Sequence, residues 1–275
     1  MNNFISLTKV LLKNISLGLN QKKKASTIIL YLILVLSMLP LLFGLYKFFV
    51  MGFEFCTPFN QTTSFFAMVM QLCSMLIFMF GIFIIPSFYY FGDDLEVLLR
   101  LPLKPHTIIA SKFVQCLVSE LLFVLMLMVP LGIAYFVVEG FSLISLILMI
   151  IISFVLPIYP LVICSFIVMV MMRFTPFFKN RDRFQLIAGF VGVIFALFIS
   201  WGCNQLLNPT SQSELIYMFV SGDLGLAHIF TRLFPALSLG SKAIVHLDWI
   251  SFLLFIGFHI VLIVVFLYVA NLLYF

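Results

Sequence analysis

The chain has 275 residues, of which 64% are hydrophobic and only 9% charged, with a formal net charge of +5. A soluble domain carries charge on about a quarter of its residues, so this composition excludes one and points to a polytopic membrane protein. The excess of base is explained by membrane topology, and no nucleic-acid partner is needed to account for it.

In chain order, Phe4, Leu7, Leu11, Ile15 and Leu19 recur at helical spacing while Lys9, Lys13 and Asn14 turn elsewhere. That pattern predicts an amphipathic helix on the inner leaflet within residues 1–24, serving as an elbow helix that meets a cytoplasmic partner or as a plain surface anchor. Crossing a bilayer takes roughly 20 apolar residues, and six runs reach that length. They are Thr27–Tyr46, Ser64–Tyr90, Ile108–Val138, Leu143–Met172, Leu186–Leu206 and Trp249–Ala270. The first is too long, and lacks the small-residue pattern, for a cleaved leader, so it is expected to stay as an anchor. The fourth contains Pro157 and Pro160, where a kink is expected.

Most Lys and Arg residues precede the first run or lie between runs two and three or four and five. Lys47, Arg232 and Lys242 are the exceptions. Cytoplasmic loops retain such bases, which puts both termini, 92–107 and 173–184 inside, and 47–62 and 207–248 outside. Trp201 and Trp249 then fall at the outer boundary, where aromatic belts sit. Residues 207–248 mix apolar patches with Glu214, Asp223, His228, Arg232 and Lys242, and short helices dipping into the outer leaflet fit them best. Cys56 and Cys203 both face outward on this map, which leaves their pairing open.

Two ionisable residues fall at membrane depth, Glu120 in the third run and His259 in the sixth. Burial of charge is costly there, so each is read as an intramembrane polar site. The pair could form a mutual contact or a substrate path, or Glu120 could be a protonated group that merely packs. No Gly-x-x-x-x-Gly-Lys-Ser/Thr phosphate loop occurs, nor His-Glu-x-x-His or Gly-x-Ser-x-Gly. The expectation is therefore no cofactor, no metal and no catalytic centre, with any ATP energy supplied by a partner.

The most patterned polar stretch is Tyr90-Phe-Gly-Asp-Asp-Leu-Glu-Val-Leu-Leu-Arg-Leu-Pro-Leu-Lys-Pro105, a charged island between the uncharged Phe55–Phe91 and Phe113–Val138, where Glu120 is the one charge. Glu96 and Arg100 are spaced i, i+4, and Leu95, Val97, Leu98, Leu99 and Leu101 supply an apolar surface. Pro102 and Pro105 end the short helix that results. A solvated turn would not need five aliphatics in seven residues, so the island reads as a docking helix.

Phe91-Gly-Asp-Asp-Leu-Glu-Val-Leu-Leu-Arg-Leu-Pro-Leu with Ile108-Ile-Ala-Ser-Lys112 resembles the span-two to span-three segment of ABC type-2 export permeases, particularly those of Gram-positive bacteria. Arg173-Phe-Thr-Pro-Phe-Phe-Lys-Asn-Arg-Asp-Arg183 and Leu233-Phe-Pro235 agree with it. The resemblance covers essentially the whole chain. It implies a permease that dimerises with a second permease subunit and pairs with a cytoplasmic ABC ATPase. Asp93, Asp94, Leu95, Glu96, Leu98, Leu99, Arg100 and Pro102 would form the ATPase-coupling helix. Relatives of this type commonly run on through further spans after a stretch like Val269–Phe275, so the chain reads as half-length beside them.

The expectation is thus an all-α, single-domain membrane protein of residues 1–275 with six transmembrane helices in a bacterial cell membrane, surrounded by lipid. It would be a permease subunit, not itself an enzyme, exporting a lipidic, peptide or drug-like substrate. The alternatives are a stand-alone carrier or channel using Glu120 and His259, or a membrane enzyme acting on lipid.

Overall fold

The computed structural model describes residues 2–17, 24–92, 105–174, 235–273 and most of 183–200. Among them every regular element is helical: α1 (Asn2–Leu17), α2 (Lys24–Cys56), a 3-10 turn (Thr57–Phe59), α3 (Thr62–Tyr89), α4 (Pro105–Glu139), α5 (Leu143–Val155), α6 (Ile158–Phe174), α7 (Ala236–His246) and α8 (Trp249–Leu273). Five stretches are long and apolar enough to cross a membrane: Leu36–Phe59, Thr62–Tyr89, Thr107–Glu139, Leu143–Phe174 and Trp249–Ala270. The predicted run Leu186–Leu206 is described only in part, and that part is helical.

Local chemistry explains where these helices begin and end. Between α4 and α5 the chain turns at Gly140, whose φ of +94° suits a residue without a Cβ. Ser142 then caps α5, its side chain accepting from the Ser145 N–H at 3.4 Å. Pro157 breaks the predicted fourth run, ending α5 at Val155 and starting α6 at Ile158, because proline has no N–H to carry the ladder through. Pro40, Pro86 and Pro130 lie inside α2, α3 and α4 without ending them. Neighbouring helices re-satisfy freed backbone groups in such assemblies.

The amphipathic N-terminus is α1, and it does not lie free. Leu7 and Leu11 bury against Ile108 at the start of α4, and the Thr8 hydroxyl donates to the Ser111 oxygen at 3.2 Å. Of the outer segment, α7 is described; its Leu237, Gly240, Ala243 and Ile244 are buried, and its Ile244 carbonyl accepts from the Ser145 hydroxyl of α5 at 3.1 Å. The rest of 207–234 lies outside the described residues, as does Cys203, while Cys56 is a buried free thiol.

Packing is inverted relative to a soluble domain only at the surface. Leu41, Phe48, Leu122, Ile147, Leu253 and Val261 point outward, which is costly in water and neutral in hydrocarbon. Inside, an aromatic cluster joins α2, α3 and α4: Phe53 meets Phe65 edge-on at 5.0 Å, and Phe66 meets Tyr135 edge-on at 5.6 Å. Such edge contacts add about 0.5–1.5 kcal/mol each beyond burial.

Candidate functional site

Among the described residues, buried polar side chains occur on every helix from α3 to α8, and α4 carries four of them. Ser111, Lys112, Gln115, Cys116 and Glu120 are all buried, and at 3.6 residues per turn they form one stripe along roughly 12 Å of the helix. Lys112 is only 1% exposed. Its ammonium donates to the Phe88 carbonyl, one of the last four of α3, which the helix itself cannot satisfy. A cation at a helix C-terminus also meets the negative end of the macrodipole. Lys112 therefore ties α4 to the end of α3, on either side of the charged segment that joins them.

Glu120 is 2% exposed, and its Oε1 has no hydrogen-bond partner. The thiols of Cys73 on α3, Cys116 on α4 and Cys164 on α6 lie within range of its charge. The Ser74 hydroxyl of α3 is also buried without a partner, as is Gln115 Oε1 on α4. His259 on α8 is 2% exposed. Its Nδ1 lies 2.8 Å from the Phe255 carbonyl of its own helix, so Nδ1 carries the hydrogen and donates; Nε2 is left as a buried acceptor without a partner. The rings of Phe255 at 4.3 Å, Phe258 at 5.6 Å and Tyr159 at 6.4 Å surround the imidazole.

Glu120 and His259 are not in mutual contact, since each has an unpartnered atom, yet helix register relates them. The start of α8 lies beside α7, which is bonded to the start of α5 and hence to the end of α4. Near the other end, the rings of Phe113 of α4 and Phe266 of α8 meet at a tilt, centroids 4.9 Å apart, so the two helices run antiparallel. Glu120 is seven residues after Phe113 and His259 seven before Phe266. Seven residues are about two turns and roughly 10 Å, so both residues sit at one depth, on the faces that carry the ring pair. Chemically, the buried groups left without partners are a carboxyl, an imidazole nitrogen, an amide oxygen and a hydroxyl, of which the carboxyl and the imidazole can exchange protons. Among the described residues no group of three His, Cys, Asp or Glu is placed to hold a metal ion.

Of the expected site residues, Glu120 and His259 are placed as buried polar groups. Asp93, Asp94, Leu95, Glu96, Leu98, Leu99, Arg100 and Pro102 lie outside the described residues. Sequence reasoning missed Lys112, counting it as one more base of an inner loop, and missed Ser74 and Gln115. The signal for Lys112 was present: Lys112, Cys116 and Glu120 repeat at i, i+4 and i+8 along one helical face.

A family model described as "Putative ATP-binding cassette" matches residues 22–221. No curated protein and no solved structure matches the chain. The family match corrects three expectations. The type-2 export permease resemblance is overturned, because the matched family is a different one, named for ATP binding. The function built on it, a permease subunit with a stand-alone carrier as the alternative, falls with it. So does the expectation of a non-enzymatic subunit without its own nucleotide-binding motif. The reasons are physical. A short charged island between apolar walls is what any tight loop of a polytopic chain looks like, so it discriminates poorly between families. The absence of one phosphate-loop pattern excludes only that way of holding a phosphate.

Proposed function

Because the chain belongs to this ATP-binding-cassette family over residues 22–221, we propose that it is the membrane-embedded member of an ATP-binding-cassette system whose working cycle is driven by ATP. The family match carries this reading, and the five membrane-length helices support the membrane part of it. On this reading both termini and residues 92–107 face the cytoplasm. The partners are further subunits of the same system and the surrounding lipid. Asp93 to Pro102 would form the contact through which nucleotide-driven movement reaches α3 and α4. The Lys112 bond to Phe88 supports that assignment, because a push on the intervening segment then acts on two helices already tied together. A ligand moves such an equilibrium only through its differential affinity for the two states, so the segment must sense nucleotide state.

The test is purification of the full chain from native membranes with whatever it carries along, followed by photolabelling with an ATP analogue. Labelling of the chain or of a co-purifying subunit, lost on adding excess MgATP, is the expected result. A preparation that binds no nucleotide in any component would sink the proposal.

A further inference from the structure

We infer that a groove between α2 and α4 binds an anionic phospholipid, with one acyl chain in the groove and the phosphate against the ammonium of Lys47. The groove has a volume of about 350 Å³ and is lined by Leu39, Leu42, Phe43 and Tyr46 of α2 and by Val129, Pro130 and Ile133 of α4. None of these side chains is charged, and the one polar group among them is the Tyr46 hydroxyl. Water gains nothing in such a slot, whereas a hydrocarbon chain gains contact along its length. Leu39, Phe43, Val129 and Ile133 are exposed, so the slot opens toward what surrounds the helices, and around membrane-length helices that is lipid.

The mouth of the groove supplies the headgroup chemistry. The Lys47 ammonium lies 5.7 Å from the Phe43 ring centroid and 5.9 Å from that of Tyr46, so it sits on two of the lining rings. It follows directly on the uncharged run Thr27–Tyr46, at the end of the groove-lining stretch of α2. Among the described residues no carboxylate pairs with it. A long apolar slot with one positive charge at its rim complements a molecule with a long apolar tail and a negative head. Lysine binds phosphate as a point charge. A zwitterionic headgroup brings its own cation beside its phosphate, so the single ammonium favours a net negative lipid.

The test uses the full chain, purified in detergent and stripped of lipid. It is titrated with phosphatidylglycerol or phosphatidylcholine of matched acyl chains and read by native mass spectrometry. One phosphatidylglycerol per chain should bind saturably and in preference to phosphatidylcholine. Lys47→Gln should weaken phosphatidylglycerol about fivefold and leave phosphatidylcholine unchanged, the effect of removing one lysine beside an anionic headgroup. Val129→Trp fills the groove from an exposed position and should weaken both lipids. Helical circular dichroism and a single gel-filtration peak confirm that both variants fold. If Lys47→Gln leaves the lipid preference intact, or Val129→Trp leaves occupancy intact, the lipid only rings the protein without a site and the inference fails.

Discussion

Replacing Lys112 by methionine tests whether α3 and α4 are tied through one buried charge. The substitution keeps the length of the side chain and removes its donor, leaving the Phe88 carbonyl at the end of α3. An orphaned buried acceptor costs about 1–3 kcal/mol, and loss of a cation at a helix C-terminus a further 0.3–1. Against this, methionine is relieved of holding a charge where only 1% of the side chain is exposed, which offsets part of the loss. A net destabilisation of about 2 kcal/mol follows, or roughly 4–8 °C in the apparent unfolding temperature of a chain of this size. The assay is thermal unfolding in detergent, followed by the fluorescence of a thiol-reactive dye as the buried cysteines become accessible. Lys112→Arg, which can still donate, should lose less. An unchanged unfolding temperature for Lys112→Met would refute the reasoning, because it would mean that the Phe88 carbonyl is satisfied without the lysine.

Four other substitutions separate packing from polarity. Glu120→Leu removes a buried carboxyl whose Oε1 has no partner, so it should raise the apparent unfolding temperature by the few degrees that about 1 kcal/mol represents; a fall in the same melt would show that Glu120 is bonded. Gly52→Ala drives a Cβ into the Phe65 ring, while Gly132→Ala drives one into the end of the Met149 side chain. The rigid ring must leave its edge contact with Phe53, costing about 1–3 kcal/mol, whereas the thioether can swing aside for less than that, so equal melts for the two variants would contradict the packing. Asp248 caps α8, accepting from the Ser251 hydroxyl at 2.6 Å and the Ile250 N–H at 3.1 Å. The Ser251 bond, followed by the backbone bonds, holds its carboxyl below the usual range. Its folded pKa being depressed, the stabilisation is present above the unfolded value of about 3.9 and is lost as pH falls through the folded one. The gap in unfolding temperature between the parent and Asp248→Ala should therefore be full near neutrality and vanish in acid; a gap independent of pH would count against the cap.

How much of this was legible in the sequence depends on the period of the signal. Long, predominantly apolar runs announced α3, α4 and α8 to within a few residues at both ends, since a run long enough to cross hydrocarbon must be helical to satisfy its backbone. Proline at 157 announced an interruption, though not that a complete break would separate α5 from α6. Glu120 and His259 stood out because any charge-bearing residue in such a run does. Lys112 did not, because it lies six residues from the charged island and a base near a loop is ordinarily a solvated one. Only the antiparallel packing of α3 against α4, which brings Phe88 beside Lys112, makes it a structural cation. Pairing between helices is long-range information, and one-dimensional periodicity carries none of it.

The same limit explains the misread family and suggests what the polar interior is for. Local motifs around 90–105 looked distinctive because their neighbours were so uniform, yet a profile over 22–221 weighs every position and found a different family. Two buried polar residues lie on the helix that follows that segment, Lys112, which motif reading passed over, at the junction, and Glu120, which it singled out, about 12 Å further in. Each is almost wholly buried, but one is bonded across helices and the other has an oxygen without a partner. A bonded buried charge holds two helices in one arrangement. An unpartnered carboxyl is a standing cost that a second arrangement could relieve: protonated, its O–H would donate to the free Nε2 acceptor of His259, which lies at the same depth. If ATP-driven movement slides α4 against α8, the Glu120–His259 distance should shorten while the Lys112–Phe88 tie persists. Distance measurements between spin labels placed near each pair, with and without nucleotide, would show it; a Lys112–Phe88 separation that changes as much as the other would rule out this division of roles.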